Sequence, residues 1–544
     1  MPQFLAGAAT FHVIRQFESP PPRYYENLIL AGPCPASALS VVSRIRSHMP
    51  HHPRRNDLFA LVCAAVVEGL GTVAQHVSEK KFVGNYYRFP KLGKFDSGFP
   101  QFSETFFNEG PLDYEGLFRD DEKAPIHRLS LATWKNYAEK IESDAELVRY
   151  FTLNEPEDYP HFSDWKTFHR NYYLFSPLGH FVSRYIHLTG SMVFDEAAFL
   201  PIYLEWETSL SAERLPISIW IPILLAKFNF ESVTLGAGAS ITKIPDDLQL
   251  ARNKQRTHND SSHETVVGAA THALILRGWE IPNSTQRDRV NLLAEFTAFS
   301  PAVETIDKFF AALRAVTGVS TGYSQLVIVP EGWGHAWKAY LRPVSVVSTR
   351  AYPDHFEKFG WLKDTVPVEA LAAEEIGWLF SKLRTAKEHK LAIATRRLNT
   401  AYLRRDDSDS ILDLAIGLES LLVGDSNSEI THKLALRVAA LSALDSWPEG
   451  SPVEIFGFVK KIYAYRSAVV HGTGDAEKKR VILAGKEKKH DAVELGLALL
   501  RHTLTSLAKH PEFLVPSALD ERLLTLSSSA QSGAAGPAEL LPRS

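Results

Sequence analysis

The spacing of apolar positions changes twice along this chain and divides it into three regions. Through residue 210 the spacing is mostly helical: 35–46, 58–77 and 130–152 read as helices. The stretch 82–107, rich in Gly, Pro, Phe and Tyr, reads as loops and short strands. Trp165, Phe168, Tyr172, Tyr173 and Phe175 read as a core of large rings. Between 211 and 350, short β-branched or apolar runs at 217–225, 230–235, 240–244, 270–276 and 325–329 predict strands, with a helix across 285–316. Gly236-Ala237-Gly238 lacks the third glycine and following helix of a dinucleotide-binding turn, and reads as a hairpin turn. From 367 onward every segment has the helical period. Pro367 is placed as the first residue of a helix over 368–383. A second helix carries Leu391, Ala394, Leu398 and Ala401 on its apolar face. Asp406, Asp407 and Asp409 supply N-cap chemistry for 411–423, Thr431 reads as the cap of 432–443, Pro452 opens the next helix, and 491–508 is the last. After about residue 526 the chain is rich in Ser, Ala, Gly and Pro and reads as disordered. The expected fold class is α+β multidomain. It comprises a mixed, largely helical region over 1–210, a strand-rich α+β segment over 211–350, an all-α helical bundle over 367–510 and a tail over 526–544.

One helix of the bundle breaks its own pattern. Helical spacing puts Ile455, Val459, Ile462, Arg466 and Val470 on one face, so a guanidinium sits where an aliphatic side chain is due. Such a charge must find an anion or lie at a ligand or protein surface, because an unpaired buried charge is costly. Five residues on, His471 lies about 140° around a regular helix from Arg466. Gly472 and Gly474 mark the helix end, and a frayed last turn could swing the ring back. An arginine and a titratable histidine at a helix end suit a phosphodiester.

Composition adds three limits. The 544 residues are 45% hydrophobic and 22% charged, an ordinary globular balance. A net charge of −4 gives no global pull onto nucleic acid, so any such binding needs a local patch. The stretch 456–509 offers one, with eleven basic residues against five acidic. Lys478, Lys479, Arg480, Lys486, Lys488 and Lys489 follow directly after His471, as an RNA-handling surface needs. Cys34 and Cys63 are too few for a disulfide framework. The histidines of 48–55 sit among prolines without Cys, Asp or Glu and read as a solvated linker; no metal ligand set and no cofactor is expected. The N-terminus lacks a signal-peptide pattern, and the longest apolar stretch, 215–226, is broken by Pro222 and falls short of a membrane span. A cytoplasmic protein without membrane contact is expected.

Four stretches carry a resemblance. They are Arg397-Leu398-Asn399-Thr400-Ala401-Tyr402, the run 411–422 with Asp413 and Glu419, the run 430–437 ending in Arg437, and 462–472 with Arg466 and His471. In this order and on helices, they resemble the HEPN superfamily, and within it the ApeA-like domains of bacterial antiphage and abortive-infection proteins, over about 370–510. The resemblance implies a metal-independent endoribonuclease acting in antiphage defence or toxin-like growth arrest, with the R-x4-H motifs of two subunits facing one cleft. Arg466 and His471 would be catalytic, with Glu419 or Asp413 orienting them and Arg437 neutralising that carboxylate or touching RNA. The expected partners are RNA, a second copy of the chain, and an unknown trigger or ligand at the N-terminal region. The alternative is a HEPN module without catalysis that dimerises or binds RNA or a partner. The first 350 residues carry no motif that places them.

Overall fold

Leu58, Phe59, Val62, Ala65, Val66, Leu70 and Val73 recur three and four residues apart, and this stripe is wholly buried when the stretch folds as α1 (Asn56–Ser78). The computed structural model describes residues 56–533 except 121–123, 146, 148–173, 237, 255–262, 284–299, 364, 424–428, 446, 448–449 and 485–487. The expected helix at 35–46, the histidine linker, Cys34 and the rings at 165–173 lie outside the described residues. α1 packs on α2 (Ala132–Ser143) and on α3 (Ser176–Thr189), so closely that a Cβ at Gly69 would stand 2.7 Å from Val182. α2 has no side-chain cap of its own; Glu68 of α1 accepts from the Ala132 and Thr133 amides at 3.1 and 2.8 Å. α1, not 215–226, is the described helix long and apolar enough to cross a membrane, with a mean hydropathy of 1.8. Its apolar stripe is packed against protein.

The hairpin β1 (Pro90–Lys94) and β2 (Pro100–Glu104) lies between α1 and α2 in the chain, and α4 (Glu196–Ser211) closes the first core with Phe199, Tyr203 and Trp206. The chain then builds a six-stranded antiparallel sheet from β3 (Arg214–Pro222), β4 (Ser232–Gly236), β5 (Ala239–Lys243), β6 (His272–Pro282), β7 (Tyr323–Pro330) and β8 (Ser345–Ala351). The strand order is β8-β7-β3-β6-β5-β4. Strand alternation splits its side chains between two cores. Ile217, Ile219, Ile221, Leu274 and Leu276 face α7 (Ser300–Thr317). Trp220, Ile275, Val327 and Val329 face α5 (Asp246–Lys254) and α6 (Glu264–Gly268). All five expected strands are present, and β4 pairs with β5 as a hairpin, with Gly236 and Gly238 both at positive φ on either side of residue 237, which lies outside the described residues.

The C-terminal helices are α8 (Ala370–Thr385), α9 (His389–Leu403), α10 (Asp407–Leu422), α11 (Ile430–Leu444), α12 (Pro452–His471), the short α13 (Ala476–Arg480), α14 (Ala492–Lys509) and α15 (Pro516–Gly533). Their core is continuous with the α7 side of the sheet. The protein is therefore α+β, as expected, with four local corrections. Pro367 does not open a helix: Val368 donates to Lys227 O as extended backbone, and α8 begins at Ala370 after Glu369. Thr431 is not a cap, because Glu429 occupies the N-cap of α11. The bundle is not all-α, since β9 (Val481–Ala484) and β10 (Lys488–Asp491) form a hairpin inside it. Of the expected disordered tail, 526–533 continues the helix α15, whose first turns are anchored by buried Leu519 and by Asp520, and 534–544 lies outside the described residues.

Arg314 of α7 clamps the two halves together. Its Nη1 donates to Asn399 Oδ1 of α9 at 2.6 Å and its Nη2 to Thr321 O at 2.5 Å. Burial pushes the guanidinium down to about 10. Asn399 also donates to Asp307 O at 2.7 Å, so one amide joins both groups. Removing it leaves Arg314 Nη1 without its acceptor, and Asn399→Ala should lower stability by about 1–3 kcal/mol, read as a lower urea midpoint than wild type.

Candidate functional site

α12 is fixed at both ends. Ser451 and Glu454 form a reciprocal capping box at its start. At its end Gly472 adopts φ 62°, and the Thr473 amide donates to Ala468 O at 3.0 Å. The last turn is therefore closed rather than frayed, and within one chain His471 and Arg466 point about 140° apart. No hydrogen bond or ion pair joins them among the described residues. His471 is exposed.

The apolar stripe of α12 runs from core to surface. Ile455, Val459 and Ile462 are fully buried, Arg466 is half-buried, and Val470 is 50% exposed. Arg466 Nε is shielded from solvent and has no hydrogen-bond partner among the described residues. Its neighbour one turn back is Tyr463, whose hydroxyl donates to Glu419 Oε1 at 2.9 Å. Burial and Glu419 push that hydroxyl's pKa well up, while the Arg466 charge pulls it down. Glu419 thus engages Tyr463 and not Arg466: no ion pair links the carboxylate to the guanidinium among the described residues.

The other expected supports belong elsewhere. Asp413 is buried between Arg397 (2.6 Å to Oδ1) and Arg404 (2.8 Å to Oδ2), so both of its oxygens tie α9 to α10. Arg437 forks onto Asp520 at 2.9 and 2.6 Å and donates to Leu422 O at 2.5 Å, joining α10, α11 and α15. Neither reaches Arg466 or His471, because fully used partners leave nothing to share. Arg480 is likewise spent on Asp491 (2.6 Å) and Asp407 (2.5 Å). Lys479 pairs with Asp475 at 2.9 Å, while Lys478 and Lys489 are exposed. Lys486 lies outside the described residues, and of Lys488 only the strand backbone is described. The basic loop proves to be a short helix and a hairpin whose outward residues include Val481 and Leu483, 49% and 53% exposed. Among the described residues no group of three or more His, Cys, Asp or Glu could hold a metal ion.

A second constellation was not legible in the sequence. At the start of α3, Ser176 Oγ lies 3.2 Å from His180 Nε2, and His180 Nδ1 lies 3.1 Å from Glu115 Oε2. Nδ1 is not aligned for a hydrogen bond despite that distance. The same carboxylate oxygen is 3.3 Å from Lys338 Nζ. Ser176 and His180 are four apart, which on a helix stacks them on one face. That spacing is a signal too common to single out, and Glu115 is remote in sequence.

Comparison of the chain with family models, with curated proteins and with solved structures returned no match.

Burial first, then the Lys338 and Arg128 charges, push His180 down to about 3. The folded ring therefore stays neutral where the unfolded ring, titrating near its ordinary 6.5, takes up a proton. Stability from this group is full above pH 6.5 and is lost as pH falls from there toward 3. His180→Gln should weaken the fall in urea midpoint between pH 7.5 and 5 relative to wild type; equal falls would contradict this reading.

Proposed function

We propose that the chain is a HEPN-type endoribonuclease whose α12 supplies Arg466 and His471 to an RNA phosphodiester, each pair assembled across two copies of the protein. The observation that carries this reading is Arg466: a half-buried guanidinium with a shielded Nε that has no hydrogen-bond partner among the described residues, where Arg397, Arg404, Arg437 and Arg480 of the same bundle are each spent on carboxylates. An anion supplied from outside would complete it. Because Arg466 and His471 diverge around one regular helix, a single chain does not aim both at one phosphate. Two α12 helices meeting about a two-fold axis bring Arg466 of one copy toward His471 of the other. Exposed Val470, Val481 and Leu483 supply apolar surface for such a contact.

In this reading neutral His471 takes the proton of a ribose 2′-hydroxyl, and the 2′-oxygen attacks phosphorus. Arg466 offsets the charge on the non-bridging oxygens. The bond from phosphorus to the 5′-oxygen breaks and that oxygen takes a proton, leaving a 2′,3′-cyclic phosphate and a 5′-hydroxyl. Lys478 and Lys489 supply backbone contacts that carry no sequence preference.

Purified wild type incubated with total RNA, with and without EDTA, should yield fragments ending in a 2′,3′-cyclic phosphate. His471→Ala and Arg466→Ala should each slow cleavage by roughly 100-fold or more. Intact RNA from wild type in both conditions, together with weaker RNA retention by Arg466→Ala, would leave only the binding module.

A further inference from the structure

We propose that Ser176, His180 and Glu115 form a second, separate chemical site that transfers acyl groups from small anionic esters, with Ser176 as nucleophile, His180 as its base and Glu115 positioning the ring. Ser176 and Glu115 both line a cavity of about 170 Å³, and His180 joins them from behind. The order hydroxyl, imidazole, carboxylate is the one nucleophilic catalysis needs: Ser176 Oγ is at hydrogen-bond distance from Nε2, and Glu115 lies 3.1 Å from Nδ1, a pair that a small rotation of the carboxyl would align. The dihedral freedom of the pair is small because Ser176 and His180 stand one turn apart on the same 14-residue helix. Here Nδ1 is buried without an aligned partner, and Nε2 is directed to a hydroxyl on a cavity wall.

The walls decide the substrate class. Arg119, Arg128 and Lys338 face the cavity against Asp113 and Glu115, and the positive end of α3 adds to the cationic side. The volume admits a short acyl group carrying a carboxylate or phosphate, not a lipid chain. Burial above all holds the imidazole neutral, with Lys338 and Arg128 adding to it, so an anionic substrate that offsets those two charges removes the smaller part of the effect.

Ser176 Oγ bonds to the ester carbonyl carbon while its proton passes to His180 Nε2. The tetrahedral adduct collapses, the carbon–alkoxy bond breaks, and Nε2 returns the proton to the departing alcohol. Water then attacks the acyl-serine, giving its proton to Nε2, and Ser176 Oγ recovers that proton as the acid leaves.

The test is active-site labelling of the full-length chain with a fluorophosphonate probe, read by peptide mass spectrometry. Wild type should be labelled on Ser176, heat-unfolded wild type should not, and Ser176→Ala should lose that label. His180→Ala should slow labelling by roughly 100-fold. Glu115→Gln should shift the pH profile of labelling, and Glu115→Asp should restore part of it. Inorganic phosphate should slow labelling if the cavity takes anions; labelling indifferent to phosphate removes the anionic part of the assignment. A folded wild type, checked by circular dichroism, that leaves Ser176 unlabelled overturns the proposal, as does a His180→Ala variant labelled at the wild-type rate.

Discussion

α7 is covered on two sides at once, and the architecture depends on it. Ile306, Phe309, Phe310 and Leu313 close the inner face of the sheet, while the same helix meets Phe380 of α8 and, through Arg314, Asn399 of α9. A buried guanidinium held by neutral oxygens tolerates little displacement, because losing one acceptor exposes the full desolvation cost of a charge. Arg501 of α14 adds a bond to Ala315 O at the end of α7. The sheet and the bundle therefore share one apolar interior.

The contrast among arginines gives the bundle its functional reading. Arg397 and Arg404 neutralise Asp413, Arg437 grips Asp520, and Arg480 bridges Asp407 and Asp491. These pairs lock helix to helix. Arg466 sits at the point where the α12 stripe passes from core to surface, beside a tyrosine whose hydroxyl is already given to Glu419. His180 is the corresponding exception in the N-terminal half, a buried ring with one nitrogen left unaligned. Both exceptions stand where solvent or a cavity begins.

What the sequence made legible was the part written in local periodicity. The strands at 217–225 and 325–329 are dense in β-branched residues, and the break in the stripe at Arg466 is visible from spacing alone. What it hid was pairing. Asp413 looks equally available to Arg466, Arg437 or Arg397, and only the packing of α9 on α10 gives it to Arg397 and Arg404. Thr431 is a good capping residue by type, yet Glu429 in the left-handed region displaces it. The tail after 526 has a composition suited to disorder, but the Asp520–Arg437 fork and buried Leu519 hold its helix in place. Ser176, His180 and Glu115 meet only because α3 returns the chain to the short turn at 115–117.

In the proposed assembly the α12 site is completed by a second copy. Two differently tagged chains, one carrying Arg466→Ala and the other His471→Ala, can be co-expressed and the mixed dimer isolated through both tags. A two-fold assembly with Arg466 and His471 paired in trans leaves one of two sites intact, so the mixed dimer should cleave RNA at about half the wild-type rate. A mixed dimer as inactive as either variant alone would contradict the account.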